Sequence, residues 1–159
     1  MAVDPQQFRQ AMAEFAAGVT VVTVAVDGES HGMTATAFSS LSLQPPLVLV
    51  CIDKKARSHE LIQRAGKFAI NILSSDQEEV SNRFAGRLGP EARHFNDLPH
   101  KPGAFSGAPL LDDAIAWVDC RLANTFDGGD HTIFVGEVLD AATREARPLV
   151  YYKGKYYHL

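Results

Sequence analysis

The sequence predicts a mostly β protein with peripheral helices, an antiparallel barrel of about seven strands carrying three short helices. Two observations carry that reading. Runs rich in apolar and β-branched residues recur along the chain, at Val19–Val26, Leu47–Ile52, Lys67–Leu73, Ala114–Thr125, His131–Ala141 and Leu149–Tyr152. Turn sequences then join several of them directly, as hairpins require: Asp27-Gly28, Asp127-Gly-Gly-Asp130 and Lys153-Gly154.

The elements follow in order. Asp4-Pro-Gln-Gln7 is a helix start, with Asp4 as N-cap, Pro5 at the first helical position and Gln7 at the capping-box position. Phe8, Met12 and Phe15 then recur at helical spacing, and Gly18 is the expected end. Val19–Val26 turns through Asp27-Gly28 into a second strand that runs to Leu43. Between Thr34 and Ser42 this strand is nearly all small or hydroxylic, a poor recipe for a packed core. It offers backbone amides and hydroxyls to something flat and polar-edged. Pro45 and Pro46 break it, and Leu47–Ile52 reads as a fully buried strand. The polar cluster from Asp53 to His59 opens onto the helical pattern Glu60–Ala65. Lys67–Leu73 is another strand, and Ser75-Asp-Gln-Glu78 a capping box for a helix carrying Val80 and Phe84. The stretch from Gly86 to Pro109, with four Gly, four Pro and two His, shows no periodicity and is expected to be a long functional loop or flap. Two long strands and a terminal hairpin, Leu149–Tyr152 with Lys155–Leu159, complete the chain.

Composition narrows the class. The 159 residues are 46% hydrophobic and 21% charged, the profile of one ordinary soluble domain spanning residues 1–159. A net charge of -4 with evenly spread Lys and Arg argues against nucleic-acid binding. No apolar run approaches a bilayer span, and no secretory leader is recognisable, so a cytoplasmic protein without membrane attachment is expected. Cys51 and Cys120 lie among apolar neighbours and read as reduced core thiols.

No dinucleotide fingerprint G-x-G-x-x-G, Walker A, G-x-S-x-G or H-E-x-x-H motif occurs. The histidines at 31, 59, 94, 100, 131 and 158 show no metal-ligand spacing, and no metal is expected. Lys54, Lys55, Arg57, Ser58 and His59 cluster at a helix start, where free amides and the dipole favour an anion. Ser58 is expected as N-cap and phosphate donor together. A capped helix with a solvated charge run produces the same pattern. His131 begins a strand after a Gly-Gly turn, a position that suits either a ligand contact or a polar strand edge.

Eight blocks stand together in a recognisable order: Gly18-Val-Thr-Val-Val-Thr23, Gly32-Met-Thr-Ala-Thr-Ala-Phe-Ser-Ser40, Pro46-Leu-Val-Leu-Val-Cys-Ile-Asp53, Arg57-Ser-His-Glu-Leu-Ile62, Phe68-Ala-Ile-Asn-Ile-Leu73, Arg83-Phe-Ala-Gly86, Gly129-Asp-His-Thr-Ile-Phe-Val-Gly-Glu137 and Pro148-Leu-Val-Tyr-Tyr-Lys-Gly-Lys-Tyr156. With them the chain resembles the flavin reductases of the FMN-binding split-barrel type, including the reductase components of two-component 4-hydroxyphenylacetate, phenol and styrene monooxygenases. The resemblance implies FMN or FAD as flavin, NADH or NADPH as hydride donor, a homodimer, and a larger oxygenase component served by diffusing reduced flavin. It implies that Thr34, Ala35 and Thr36 line the isoalloxazine through backbone groups and that Ser39 and Ser40 reach the flavin's polar portion. Asp53 and Lys54 would sit near the ring or ribityl chain, and Arg57, Ser58 and His59 would hold the phosphate. Phe84, Ala85 and Gly86 would close over the site, His131 would position the nicotinamide, and Tyr152 would meet the dinucleotide tail. A flavin-binding module without reductase activity, and a pyridoxamine-phosphate oxidase-like enzyme, are the alternatives on a similar barrel.

Overall fold

The computed structural model describes residues 1–159. Its elements are α1 (Pro5–Ala13), β1 (Ala17–Gly18), β2 (Thr20–Val26), β3 (Glu29–Ala35), β4 (Phe38–Ser42), β5 (Leu47–Asp53), α2 (Arg57–Ala65), β6 (Lys67–Ile72), α3 (Glu78–Phe84), a 3-10 turn (Pro90–Ala92), β7 (His100–Pro102), β8 (Pro109–Leu111), β9 (Ala116–Gly128), β10 (His131–Thr143), β11 (Leu149–Tyr152) and β12 (Lys155–His158). Seven strands form one antiparallel sheet in the order β3-β2-β6-β9-β10-β5-β4. Two small sheets, β1-β11-β12 and β7-β8, lie beside it. The chain is therefore mostly β with peripheral helices, as expected. No ladder joins the two edge strands β3 and β4, so hydrogen bonding does not close the main sheet into a barrel.

The hairpins form where turn chemistry places them. Asp27 and Gly28 take φ of 52° and 76°, and Lys153 and Gly154 take 49° and 77°, the left-handed pair that a two-residue hairpin needs. Alternation along β2 explains its run of β-branched residues: Val22 and Val24 pack with Val50, Ile52, Leu61, Phe68 and Phe134. Val19, just before β2, and Val21 on its other face pack with Leu73, Val80, Phe84 and Phe95. Both faces are buried, so both are apolar.

Several expectations are corrected. The small-residue strand does not run unbroken to Leu43; it divides at Thr36-Ala37 into β3 and β4. The first helix stops at Ala13, and Gly18 instead pairs with Val150 in a short ladder. Asp4 does cap it, its carboxylate accepting from the backbone N–H groups of Gln6 and Gln7, but no residue of the helix is buried. Gln77, rather than Ser75, is the N-cap of α3, and its side-chain carbonyl accepts from the Ser74 amide instead. Cys120 is buried, and burial pushes its thiol up to about 12, which keeps it protonated and inert. Cys51 is only half-buried.

The stretch from Gly86 to Pro109 is ordered by polar anchors, which is why it has no sequence period. The buried Arg83 guanidinium donates to Asp97, to Glu79 and to the carbonyl of His94. Buried Asp119 accepts from the amides of Phe105 and Ser106. Asn71, also buried, donates to the Pro109 carbonyl and accepts from the Leu111 amide at 2.8 Å. Each is a side chain of a strand or helix that satisfies polar groups of this stretch or of β8, whose only ladder is the short one with β7.

Candidate functional site

The break between β3 and β4 creates the site. Where pairing lapses at Thr36-Ala37, the sheet edge opens beside the ends of β5 and β10. A cavity of about 240 Å³ lies there, lined by Met33, Thr34, Ala35, Thr36, Ala37, Cys51, Asp53 and His131. His131 and Asp53 reach it together because β10 pairs with β5 in the register His131 opposite Asp53. A larger apolar hollow of about 510 Å³ shares Thr36, Ala37 and Cys51 with it and continues past Phe38, Ser39 and Leu49 to Met12 of α1 and Phe15 just after that helix. On the other side of Thr34 and Thr36 a third cavity, of about 190 Å³, is lined by Val19, Ser81, Ala85, Arg87, Tyr151 and Tyr156. The small side chains of β3 and β4 thus face open space on several sides.

Thr34 is fixed by donating its hydroxyl to the Ser81 carbonyl at 2.7 Å, and this bond ties the platform to α3. His131 is held through Nδ1 by the Asp130 carboxylate at 2.8 Å. The same contact keeps the Asp130 carboxyl below its usual range. Lys54 forms an ion pair with Asp127, so the β9–β10 turn is clasped to the start of the polar cluster. The Asp53 carboxylate accepts from the Lys55 amide at 2.8 Å and so shapes that turn.

Five of the residues expected at the site meet in one cavity: Thr34, Ala35, Thr36, Asp53 and His131. Ser39 lines the adjoining hollow, and Ser40 is exposed next to it on β4. Ala85 lines the third cavity, with exposed Gly86 beside it. Phe84 is placed differently, since its ring is fully buried and stacked on Phe95 at 4.8 Å. It lies so close to β3 that a Cβ on Gly32 would come within 2.8 Å of it. It supports the platform from behind.

The polar cluster also departs from expectation. Ala56 is the N-cap residue of α2 and no side chain caps it. Ser58 is buried in the first turn of α2, its hydroxyl without a partner. His59 bonds through Nε2 to the Thr132 hydroxyl at 2.7 Å and meets the edge of Phe134. Arg57 is shared between Glu29 at 2.9 Å and Glu60 at 3.0 Å, so its charge is already opposed by carboxylates. Tyr152 points away from the cavities and donates to Glu14 at 2.9 Å. Its neighbours Tyr151 and Tyr156 line the third cavity instead, together with Arg87. Alternation along β11 makes that difference, for adjacent residues of a strand face opposite sides. Arg87 lies outside every sequence block and Tyr156 closes the last of them without an expected role; the hydrogen bonds of Tyr156 to Ser81 and Asn82 of α3 bring β12 to the platform.

The donor set fits a flat heteroaromatic ring with a polar edge. The Thr36 and Ala37 amides have no backbone partner where the ladder lapses, while the Ala35, Thr36 and Ala37 carbonyls are engaged; Asp53 and His131 supply polar groups at one end, and an apolar hollow extends the other.

Fold and cleft together describe a mostly β protein with a small-residue strand facing an open cleft. The chain belongs to the flavin reductase like domain family, whose pattern matches residues 12–159. It is 39% identical over 156 residues to the reductase subunit HsaB of a flavin-dependent monooxygenase from Rhodococcus jostii, an alignment covering 98% of this chain and 78% of that one. A solved flavin reductase in its native state shares 44% identity at a TM-score of 0.87, with 99% of each chain covered. The NADH:FAD oxidoreductase SgcE6 of Streptomyces globisporus, solved in complex with NAD and FAD fragments, is 37% identical at a TM-score of 0.91 and covers 100% of this chain and 96% of its own.

Proposed function

We propose that this protein is an NAD(P)H-dependent flavin reductase that acts as one unit over residues 1–159 and hands reduced flavin to a separate, larger oxygenase component. One observation carries the reading: Thr34, Ala35, Thr36, Asp53 and His131, drawn from three distant segments, converge on a single cleft. The names of the relatives, a monooxygenase reductase subunit and an NADH:FAD oxidoreductase, point the same way. The split-barrel form of the fold is part of this reading and rests on the family match over residues 12–159.

When bound, the flavin supplies a hydride acceptor, and stacking against the nicotinamide brings donor and acceptor into reach; the protein's part is positioning and electrostatics. The backbone at Thr34–Ala37 orients the ring edge. Asp53 and Lys54 define one end of the cleft, with Lys54 restrained by Asp127. His131, restrained by Asp130, presents an imidazole edge to the carboxamide of the donor. The apolar hollow of Phe15, Phe38 and Leu49 keeps water from the opposite end.

The site is completed by a second copy of the chain in this reading. Phe15 is 80% exposed and Leu43 85%, and Phe8, Met12 and Leu41 also show their side chains to solvent. Met12 and Phe15 line the hollow, and exposed apolar surface of this kind marks an interface. The two unpaired cysteines suit a cytoplasmic location.

The test is steady-state oxidation of NADH and NADPH with FMN or FAD in excess over enzyme. Many turnovers per enzyme are expected with at least one pair. Flavin binding with no turnover would reduce the protein to a flavin-holding module and overturn the reductase reading.

A further inference from the structure

Two arginines around the platform meet no carboxylate, Arg87 and Arg93, and Arg93 is spent on the backbone carbonyls of Gly32 and Phe84. Arg57, Arg64 and Arg83 each meet at least one carboxylate. Arg87 meets none. Its partners are the Asn82 side-chain carbonyl at 3.0 Å and the hydroxyls of Tyr151 at 3.2 Å and Tyr156 at 3.4 Å. Its guanidinium also lies 5.7 Å and 5.8 Å from the centres of those two rings, which are themselves arranged edge to face. All of these partners are neutral, so the charge is uncompensated. A guanidinium has five N–H donors, and three are engaged by these contacts, which leaves two for a ligand.

The surroundings are prepared for an anion. The cavity of about 190 Å³ that Arg87 lines carries no acidic residue, and its polar lining is hydroxylic: Thr34, Thr36, Ser81, Tyr151 and Tyr156. Tyr156 is fixed by Ser81 at 2.7 Å and by Asn82 at 3.0 Å, so the arginine is framed by a preformed network. Thr34 and Thr36 also line the cleft with Asp53 and His131, so an anion at Arg87 sits across the platform strand from the reacting end. Planar, two-donor recognition of a phosphate is the chemistry that guanidinium groups perform best.

We propose that Arg87, framed by Tyr151 and Tyr156, is a phosphate subsite that binds a phosphate ester of one of the nucleotide cofactors of this reaction. The inference rests on the flavin reductase reading for the identity of the ligands. The phosphate belongs either to the flavin or to the pyrophosphate of the reduced dinucleotide, and the arms of the test separate the two.

Dissociation constants of FMN and riboflavin are measured by fluorescence titration for the wild type, Arg87→Ala and Arg87→Lys. KM and kcat are measured for NADH and for 1-benzyl-1,4-dihydronicotinamide, a hydride donor without phosphate. If the flavin phosphate is the ligand, Arg87→Ala weakens FMN tenfold or more and leaves riboflavin within twofold. If the dinucleotide supplies it, KM for NADH rises tenfold or more, while kcat and the benzyl analogue stay within twofold. In either case Arg87→Lys, which keeps the charge but loses the planar fork, falls between. Equal losses for phosphate-bearing and phosphate-free ligands, or no loss for any, overturn the subsite. The titrations need no turnover, so a wild-type protein that binds flavin but oxidises no NADH would sink the reductase reading while leaving the flavin arm decisive.

Discussion

His131 sits at the first position of β10, its ring restrained by Asp130 and directed into the cleft opposite Asp53. Loss of one polar contact to the hydride donor is worth about tenfold in affinity. His131→Ala is therefore expected to raise the KM for NAD(P)H about tenfold, with flavin affinity within twofold. Unchanged kinetics would make it a strand-edge histidine, and a collapse of flavin binding would place it in the flavin shell. Arg57 makes a contrasting case. Its charge is shared by Glu29 and Glu60 and is half open to solvent, so it can contribute only modestly to an anion nearby. Arg57→Ala is expected to weaken FMN by no more than about tenfold, roughly 1.4 kcal/mol, with riboflavin unaffected. Equal loss for both flavins would remove Arg57 from the phosphate end.

At the scale of elements, the segment after α3 depends on one buried cation. Arg83 holds Asp97 well below its ordinary value of 3.8, at about 2. A carboxyl depressed on folding contributes stability above its unfolded value, near 3.9, and that contribution is lost as the pH falls through about 2. Thermal midpoints followed from pH 5 down to pH 2 should therefore decline less steeply in Asp97→Asn than in the wild type. Identical slopes would mean that the pair does not respond to folding. Arg83→Ala, which also frees the His94 carbonyl, should cost about 2 kcal/mol in denaturant unfolding. Strand packing offers a sharper probe at Gly136 in β10. A Cβ there would come within 2.7 Å of the Phe68 ring and 2.9 Å of the Cys120 Cβ, both in fully buried residues. Gly136→Ala should cost about 1–3 kcal/mol, since a packed core yields little to an added methyl group. A neutral result would show that β10 shifts more freely than its ladders with β5 and β9 allow.

For the whole molecule, the exposed apolar side chains of α1 and of β4 with the loop after it set the expectation. Phe8, Met12, Phe15, Leu41 and Leu43 are exposed, Met12 and Phe15 line the apolar hollow, and a helix with no buried residue has little to hold it in a monomer. Light scattering at micromolar concentration should give a particle of twice the 17.3 kDa chain mass. Phe15→Asp with Leu43→Asp should shift it towards the monomer and weaken flavin binding at the same time. A wild-type monomer at that concentration would rule the dimer out.

Much of this protein was determined by its sequence alone. The hairpins follow from Asp27-Gly28 and Lys153-Gly154, because only a few residue types tolerate the left-handed backbone of such turns. The small-residue strand was legible as one that faces open space because Thr34–Ser42 has too little apolar volume to be core. Tertiary structure alone decided the rest. That platform breaks at Thr36-Ala37, a backbone event that no side-chain pattern encodes. Ser58 is buried and Arg57 is paired with Glu29, since the docking of α2 beside the β2–β3 hairpin sets what each meets. The stretch from Gly86 to Pro109 has no period because its order comes from Asn71, Arg83 and Asp119, which lie outside it in α3 and the strands. Tyr151 rather than Tyr152 lines a cavity because a strand presents alternate residues to opposite sides, and the register of β11 on β1 decides which side is which. Local chemistry is written residue by residue along the chain. The company each side chain keeps depends on long-range pairing, which a sequence specifies only through the energy of the whole fold.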